Sequence, residues 1–164
     1  MPLPIHMTVE GLTQGAIAGP VLQVGREESF LVQEVNHLIE IPYSSQTGLA
    51  TGKRIHHPFE VTVELGLGGP MLHLAQTTHE HLNVDFKWYR PHPEGGAAEQ
   101  HYYTTKLIKA VLVKIGTENP NVLDPANKPF THQHKLSFTY ERIEWTYEPD
   151  GQSATDDWQQ PSTA

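Results

Sequence analysis

Residues 54 to 90, RIHHPFEVTVELGLGGPMLHLAQTTHEHLNVDFKWYR, pass from a strand pattern into a helix and straight back to a strand. From Phe59 to Leu65 the apolar residues Phe59, Val61, Val63 and Leu65 alternate with Glu60, Thr62 and Glu64, the period of a strand with one wet face. Gly68-Gly69-Pro70 interrupts that pattern, and proline suits a first helical turn because its φ is preset and its missing N–H has no partner to lose there. The spacing predicts a helix over about residues 70–81, with Met71, Leu74, Ala75 and Thr78 facing the protein and Gln76, Thr77 and Glu80 facing away. A helix this short is marginal alone and needs a sheet to pack on. From Leu82 the period returns to two, with Val84, Phe86 and Trp88 on one side and Asp85, Lys87 and Tyr89 on the other.

Working outward, residues 5–9 form a short strand through Ile5, Met7 and Val9. Ser29 to Pro42 reads as a longer strand whose apolar phase shifts at Gln33-Glu34, predicting a bulge or a change of sheet. Residues 43–57 lack sustained periodicity and read as a long extended loop, the kind that carries function in a compact domain. PHPEGGAA at 91–98 is a hairpin tip. The next strand, from Glu99 to Ile115, puts Tyr103, Leu107, Val111, Val113 and Ile115 on one face, and residues 116–131 form an irregular connection. In His132–Tyr147 the parity of Leu136, Phe138 and Tyr140 passes to Ile143, Trp145 and Tyr147, which predicts a β-bulge at Glu141-Arg142. The expectation is a mainly β protein, an antiparallel two-sheet barrel or sandwich with one short helix. Residues 1–148 form its single domain, and residues 149–164 form a polar tail anchored by Asp156-Asp157-Trp158 and mobile at its end.

At 164 residues the chain can bury roughly 68–70% of its unfolded surface without staples. It has no cysteine, so disulfide and thiolate chemistry are excluded. Eleven Lys and Arg against nineteen Asp and Glu leave a net charge of -8 and no positive footprint for nucleic acid. MPLPIHMTVE has neither the basic nor the apolar region of a signal peptide, and no apolar run is long enough to cross a bilayer. A chain made in the cytoplasm, and exported only by a signal-independent machine, is expected.

Eleven histidines offer the one opening for chemistry. His79-x-His81 and His132-x-His134 have the i, i+2 spacing that points two imidazoles to one strand face, and a cupin-like metal enzyme would use His132 and His134 in that way. Glu141 follows His134 too far on for a tight ligand set, so hydrogen-bonded strand histidines are the simpler reading. No serine sits in a nucleophile elbow, and the glycines at 66, 68 and 69 do not form a phosphate-binding G-x-G-x-x-G. Trp88 and Trp145 fit core parity. No catalytic residue, metal or cofactor is assigned, and the two other function classes left open are the histidine-metal enzyme and a monomeric β-module that binds carbohydrate or peptide.

Four pieces, in order, carry a family resemblance: Met7-Thr8-Val9-Glu10-Gly11-Leu12-Thr13-Gln14-Gly15, Gly52-Lys53-Arg54-Ile55-His56-His57-Pro58-Phe59, His101-Tyr102-Tyr103-Thr104-Thr105-Lys106-Leu107, and Leu136-Ser137-Phe138-Thr139-Tyr140-Glu141-Arg142-Ile143-Glu144-Trp145. Together they resemble the haemolysin-coregulated protein (Hcp) family, inner-tube proteins of bacterial type VI secretion systems, over nearly the whole chain. The resemblance implies a non-enzymatic β-barrel assembled as hexameric rings that stack into a tube. A contractile sheath propels that tube, and its channel carries or chaperones small effectors. The implied partners are other copies of the chain, the sheath, spike and baseplate proteins, and effectors, with no nucleic acid and no membrane insertion. It also implies that the 43–57 loop touches neighbouring subunits or rings, which makes Gly48, Lys53, Arg54 and His56 the expected interface residues.

Overall fold

The computed structural model describes residues 3–160. Of the two antiparallel arrangements expected, the barrel forms. Six strands close on themselves: β1 (Ile5–Gly11), β3 (Phe30–Asn36), β6 (Phe59–Glu64), β7 (Leu82–Pro91), β8 (Glu99–Glu118) and β9 (Gln133–Thr139). The order runs β8-β7-β1-β3-β6-β9, and β9 pairs back onto β8 to complete the ring of hydrogen bonds. β2 (Gly15–Ile17) adds to β1, while β10 (Arg142–Tyr147) and β11 (Gln152–Asp157) extend the sheet from β8. A separate ribbon pairs β4 (Ile39–Glu40) with β5 (Ile55–His56). Closure leaves no free edge in the barrel wall.

The core consists of inward side chains of all six barrel strands and of the helix, with Phe30, Phe59, Phe86, Phe138, Met7 and Leu107 fully buried. Each such side chain contributes about 1.5–3 kcal/mol by leaving water. Phe59, Val61 and Val63 point inward as the alternation requires, and the phase change at Gln33 is a register shift between Val32 and Glu34. The chain then leaves the barrel after Asn36 and changes sheet, entering the ribbon at Ile39.

Helix α1 spans Gly69–Thr77, shorter than the predicted 70–81, and it buries Leu72 and Ala75 rather than Met71 and Leu74, which are 45% and 44% exposed. Two local causes account for this. A Cβ on Gly69 would stand 3.0 Å from the His134 imidazole, so the glycine lets the first turn press onto β9 and fixes the helix's rotation. At the other end, Glu80 N–H bonds Ala75 O at 2.9 Å and His79 N–H bonds Gln76 O at 3.2 Å, with His79 left-handed at φ 54. That is a Schellman stop built on histidine where glycine is usual, so no glycine marked the end.

β8 is the longest strand, at 20 residues, and its predicted face is only half right. Leu107 points inward, but Ala110 and Leu112 do so in place of Val111 and Val113, the last being 48% exposed. Lys109 takes a left-handed φ of 49 and the pairing with β7 slips between Val84↔Leu107 and Leu82↔Ala110, which resets the alternation. Opposite Lys109 the expected bulge at Glu141-Arg142 is absent. One strand ends at Thr139 and the next begins at Arg142, opposite Val111 and Ile108, with no extra residue. The parity switch is real, and a shared bend makes it. In β7 a register shift between Trp88 and Tyr89 turns Tyr89 inward, leaving Trp88 half-buried with its indole N–H on Thr105 Oγ1 at 3.2 Å.

The polar tail expected from 149 is a strand as far as Asp157, paired with β10 from Arg142↔Asp157 to Tyr147↔Gln152. The mobile end expected for it falls at residues 161–164, outside the described residues.

Candidate functional site

The loop expected over 43–57 is a standing ribbon. Beyond β4 and β5, Tyr43 bridges Ala50, Thr51 N–H bonds Pro42 O at 2.8 Å, and Gly48, left-handed at φ 72, closes the tip with its N–H on Ser44 O at 2.8 Å. The ribbon has almost no interior. Leu38, Ile41, Tyr43, Leu49 and Ile55 are all exposed, Tyr43 at 70%. A two-stranded ribbon this small has little stability of its own.

Its base is held by a polar clasp. Arg54 grips Asp156 with two hydrogen bonds, Nη2 to Oδ1 at 2.8 Å and Nε to Oδ2, and also donates to the carbonyls of Asp157 and of Gln160, the latter at 2.8 Å. His56 is buried, with Nε2 2.7 Å from Asp156 Oδ2 and Nδ1 2.6 Å from the Tyr140 hydroxyl. The His37 Nε2 lies 3.0 Å from that same hydroxyl. With His56 neutral, the proton order is forced because a carboxylate only accepts: His56 Nε2–H donates to Asp156, the Tyr140 hydroxyl donates to His56 Nδ1, and His37 Nε2–H donates to the Tyr140 oxygen. Trp158 stacks on His56 at 5.4 Å and meets Tyr140 edge-on at 4.8 Å. Three remote segments, the ribbon base, the β9–β10 bend and the C-terminal strand, are locked by one network.

The charge states agree with that order. Partial burial pushes the Asp156 carboxyl up, but the Arg54 and His56 hydrogen bonds and the Arg54 charge outweigh it and hold the group below its ordinary value. Burial, then the charge of Asp156, raises the Tyr140 phenol far above neutral pH. Burial, and then His56 and His57, lowers His37 to about 4. All three results favour a neutral Tyr140 and His37 beside an ionised Asp156.

The four expected interface residues therefore divide. Gly48 and Lys53 sit on the exposed outer part of the ribbon, while Arg54 and His56 turn back into the chain and anchor it. Asp156 and Trp158 act as the anchor their acidic-aromatic cluster suggested. Tyr140 was expected only as a core residue, and His37 was not singled out, because a lone histidine ahead of a loop has no distinguishing pattern.

His132 and His134 are not brought together as a ligand pair. His132 precedes β9 and is exposed, whereas His134 is buried beneath the helix with its ring edge-on to His73 at 5.4 Å, so the pair does not share a ligand face. Among the described residues no group of three or more His, Cys, Asp or Glu side chains is placed to hold a metal ion. A serine–histidine pair does occur, with Ser29 Oγ 2.9 Å from His6 Nδ1, but its proton runs the wrong way for catalysis. Ser29 Oγ–H donates to Arg26 O at 2.7 Å and Arg26 Nη1 approaches His6 Nε2 at 3.3 Å, so Nδ1 carries the proton and the nitrogen facing the serine is no base.

A further carboxylate explains the sequence VEGLTQG. Glu80 is buried and accepts the backbone N–H of Thr13 at 2.7 Å and of Gln14 at 2.6 Å, together with the Gln14 amide at 2.5 Å. A Cβ on Gly11 would lie 2.6 Å from Glu80 Oε1, so only glycine admits this contact.

The family model described as "Type VI secretion system effector, Hcp" matches residues 6–147. The chain is 38% identical over 171 residues to the "Major exported protein" of Pseudomonas aeruginosa, covering 98% of each. Among solved structures it resembles an "Hcp protein" at 32% identity, with a TM-score of 0.86 over 97% of this chain and 99% of the other. It also resembles a mutant Hcp1 from E. coli EAEC 042 at 31% identity, with a TM-score of 0.82 over 96% and 99% of the two chains. A barrel of this topology, matched along its length in both sequence and structure, places the chain in the Hcp family of type VI secretion system proteins.

Proposed function

We propose that the chain is a structural subunit of the type VI secretion inner tube: hexameric rings that stack, are driven by a contractile sheath, and carry or chaperone small effectors in their channel. The observation that carries this is the ribbon, which exposes Leu38, Ile41, Tyr43, Leu49 and Ile55 while its base is rigidly clasped. An anchored apolar surface of this kind is explained by burial against another copy. Gly48 and Lys53 at the outer ribbon make those neighbour contacts, and Arg54 and His56 set the ribbon's direction.

Family membership supports the reading, as does the name of the Pseudomonas aeruginosa relative, which calls that protein exported. The subunit assembles in the bacterial cytoplasm and is then exported by the secretion machine, alongside sheath, spike and baseplate proteins. It performs no catalysis; the inert proton order of the Ser29–His6 pair is consistent with that. Light scattering behind size exclusion, with negative-stain images of the same peak, tests the assembly. A six-subunit mass with an open centre is expected, and a monomer at every concentration up to millimolar overturns the reading.

A further inference from the structure

The turn of residues 19–29, between β2 and β3, is tied to the barrel chiefly by one side chain. Its backbone folds back on itself, with Gly19 N–H on Glu28 O at 2.7 Å, Glu28 N–H on Val21 O at 2.9 Å and Val21 N–H on Ser29 O at 3.1 Å. Those bonds shape the turn without attaching it. From Pro20 to Glu28 every residue except Val21 and Arg26 is exposed, Leu22 and Val24 at 89% and 90%. Glu28 stands left-handed at φ 61, a conformation that costs free energy in a residue with a Cβ and persists only where the surroundings hold it. The turn thus stores strain and buries little, so its attachment rests on Arg26.

The Arg26 guanidinium lies 3.6 Å over the Tyr89 ring, donates from Nη2 to Glu99 Oε2 at 2.6 Å, and donates from Nη1 to His6 Nε2 at 3.3 Å. That last contact depends on a proton. His6 is buried, and because Ser29 Oγ–H is spent on Arg26 O at 2.7 Å, the imidazole keeps its one proton on Nδ1, 2.9 Å from Ser29 Oγ, and offers Nε2 to Arg26 as a lone pair. A second proton can add only at Nε2. It turns the acceptor into a donor and sets two cations 3.3 Å apart, with Glu99 already engaged by one of them. The other neighbours offer little relief. Across the sheet His6 pairs with Lys87 of β7 on one side and with Leu31 of β3 on the other. Tyr89 meets the imidazole edge-on at 5.6 Å, and behind Tyr89 stands His101, 5.4 Å from that ring and 2.8 Å from Thr104 Oγ1, whose hydroxyl is given to Glu148. Burial, then the Arg26 charge, holds His6 below its ordinary pKa while Glu99 pulls it up, and burial lowers His101 as well, so both rings are neutral at pH 7.

We infer that His6 and Arg26 form a proton-gated latch: a proton added at His6 Nε2 expels the Arg26 guanidinium and frees the 19–29 turn from the barrel wall, while the barrel stays closed. The two cations cannot share the space that one hydrogen bond now fills, and the strain at Glu28 favours release once Arg26 lets go. Release uncovers His6 and Tyr89, so acid remodels one patch of the surface without unfolding the protein. The latch lies within one chain and does not depend on the ring reading above.

Hydrogen exchange of the full chain, read by mass spectrometry at about pH 7.5 and about pH 4.5 and corrected for intrinsic exchange rates, tests it. Protection over residues 19–29 should fall on acidification by about tenfold or more beyond any fall over β7 and β9. A turn already unprotected at the higher pH, or one that loosens only in step with β7 and β9, overturns the latch. Arg26→Gln should bring the turn to its acid level of protection at the higher pH, and an unchanged turn in that variant overturns the role of Arg26. His6→Gln keeps an oxygen to accept from Arg26 and cannot take up the proton, so its turn should stay protected at both values; persistence of the wild-type fall there overturns the role of His6. If His6→Gln is loose at both values, nuclear magnetic resonance of isotope-labelled histidine in the wild type decides. A His6 titration with the same midpoint as the loss of protection supports the latch, and a different midpoint overturns it.

Discussion

The barrel and the ribbon are made of the same kind of strand and are held by opposite means. In the barrel every edge is paired and the apolar side chains face inward, so its stability comes from area removed from water. In the ribbon the apolar side chains face outward, and the element keeps its place through Arg54, His56, Tyr140 and Asp156. The contrast teaches that one chain can hold its strands by two separate means. One region keeps its apolar side chains in its own core, while the other leaves them exposed and borrows its rigidity from the far end of the chain.

Breaking the barrel side should have the largest effect. Phe138→Ala, at the junction of β6, β8 and β9, should cost about 3–5 kcal/mol by chemical denaturation and loosen both regions together. Breaking the clasp should separate them. Asp156→Ala leaves the Arg54 charge without its bidentate partner, and should cost roughly 2–3 kcal/mol, with hydrogen exchange accelerating over residues 39–56 and barely changing in β6 or β9. Uniform acceleration across the barrel strands would show that the clasp holds the whole fold rather than the ribbon.

Acidification sharpens the same boundary. The folded pKa of His37 is about 4 against an ordinary 6.5, so between those values the unfolded chain binds the proton and the folded chain does not. The contribution of His37 is therefore full above about pH 6.5 and drains as pH falls toward 4, by on the order of 1–2 kcal/mol after discounting for solvent screening of the partly exposed ring; below that, protonation of Asp156 adds to the loss. His37→Gln, which keeps a donor for Tyr140, should reduce the slope over that window, the remainder coming from His6, His101 and His134, which burial also lowers, and an unchanged slope would remove His37 from the network. The smallest effect on folding belongs to the ribbon's outer face. Tyr43→Ser with Leu49→Ser should move stability by less than about 0.5 kcal/mol yet abolish assembled mass in light scattering, since those side chains are exposed in the single chain.

What could be read from residues alone follows the same division. Alternation found the barrel strands, because each has one wet face and one dry one, and it located the phase shifts at Gln33 and at Glu141. It misassigned the second half of β8, since the kink at Lys109 carries no glycine to announce it. It also ran the helix four residues too far, because His79 takes the stopping conformation instead of a glycine. The clasp was harder still. Arg54 and Asp156 lie 102 residues apart, and no local pattern tells a residue that folds inward at a loop's base from one that reaches outward at its tip. The family resemblance marked the region, and only geometry divided Gly48 and Lys53 from Arg54 and His56.

Closure of the barrel through β8 and β9 also sets a schedule for its birth on the ribosome. β7 is complete at Pro91, but its partner β8 follows it, and β6 stays unpaired on one side until β9 ends at Thr139. At bacterial elongation rates of about 5–20 residues per second, the 48 residues between those points leave nascent edges open for roughly 2–10 s. That interval is when neighbouring nascent chains are most able to pair wrongly, and holding factors that shield strand edges would act there.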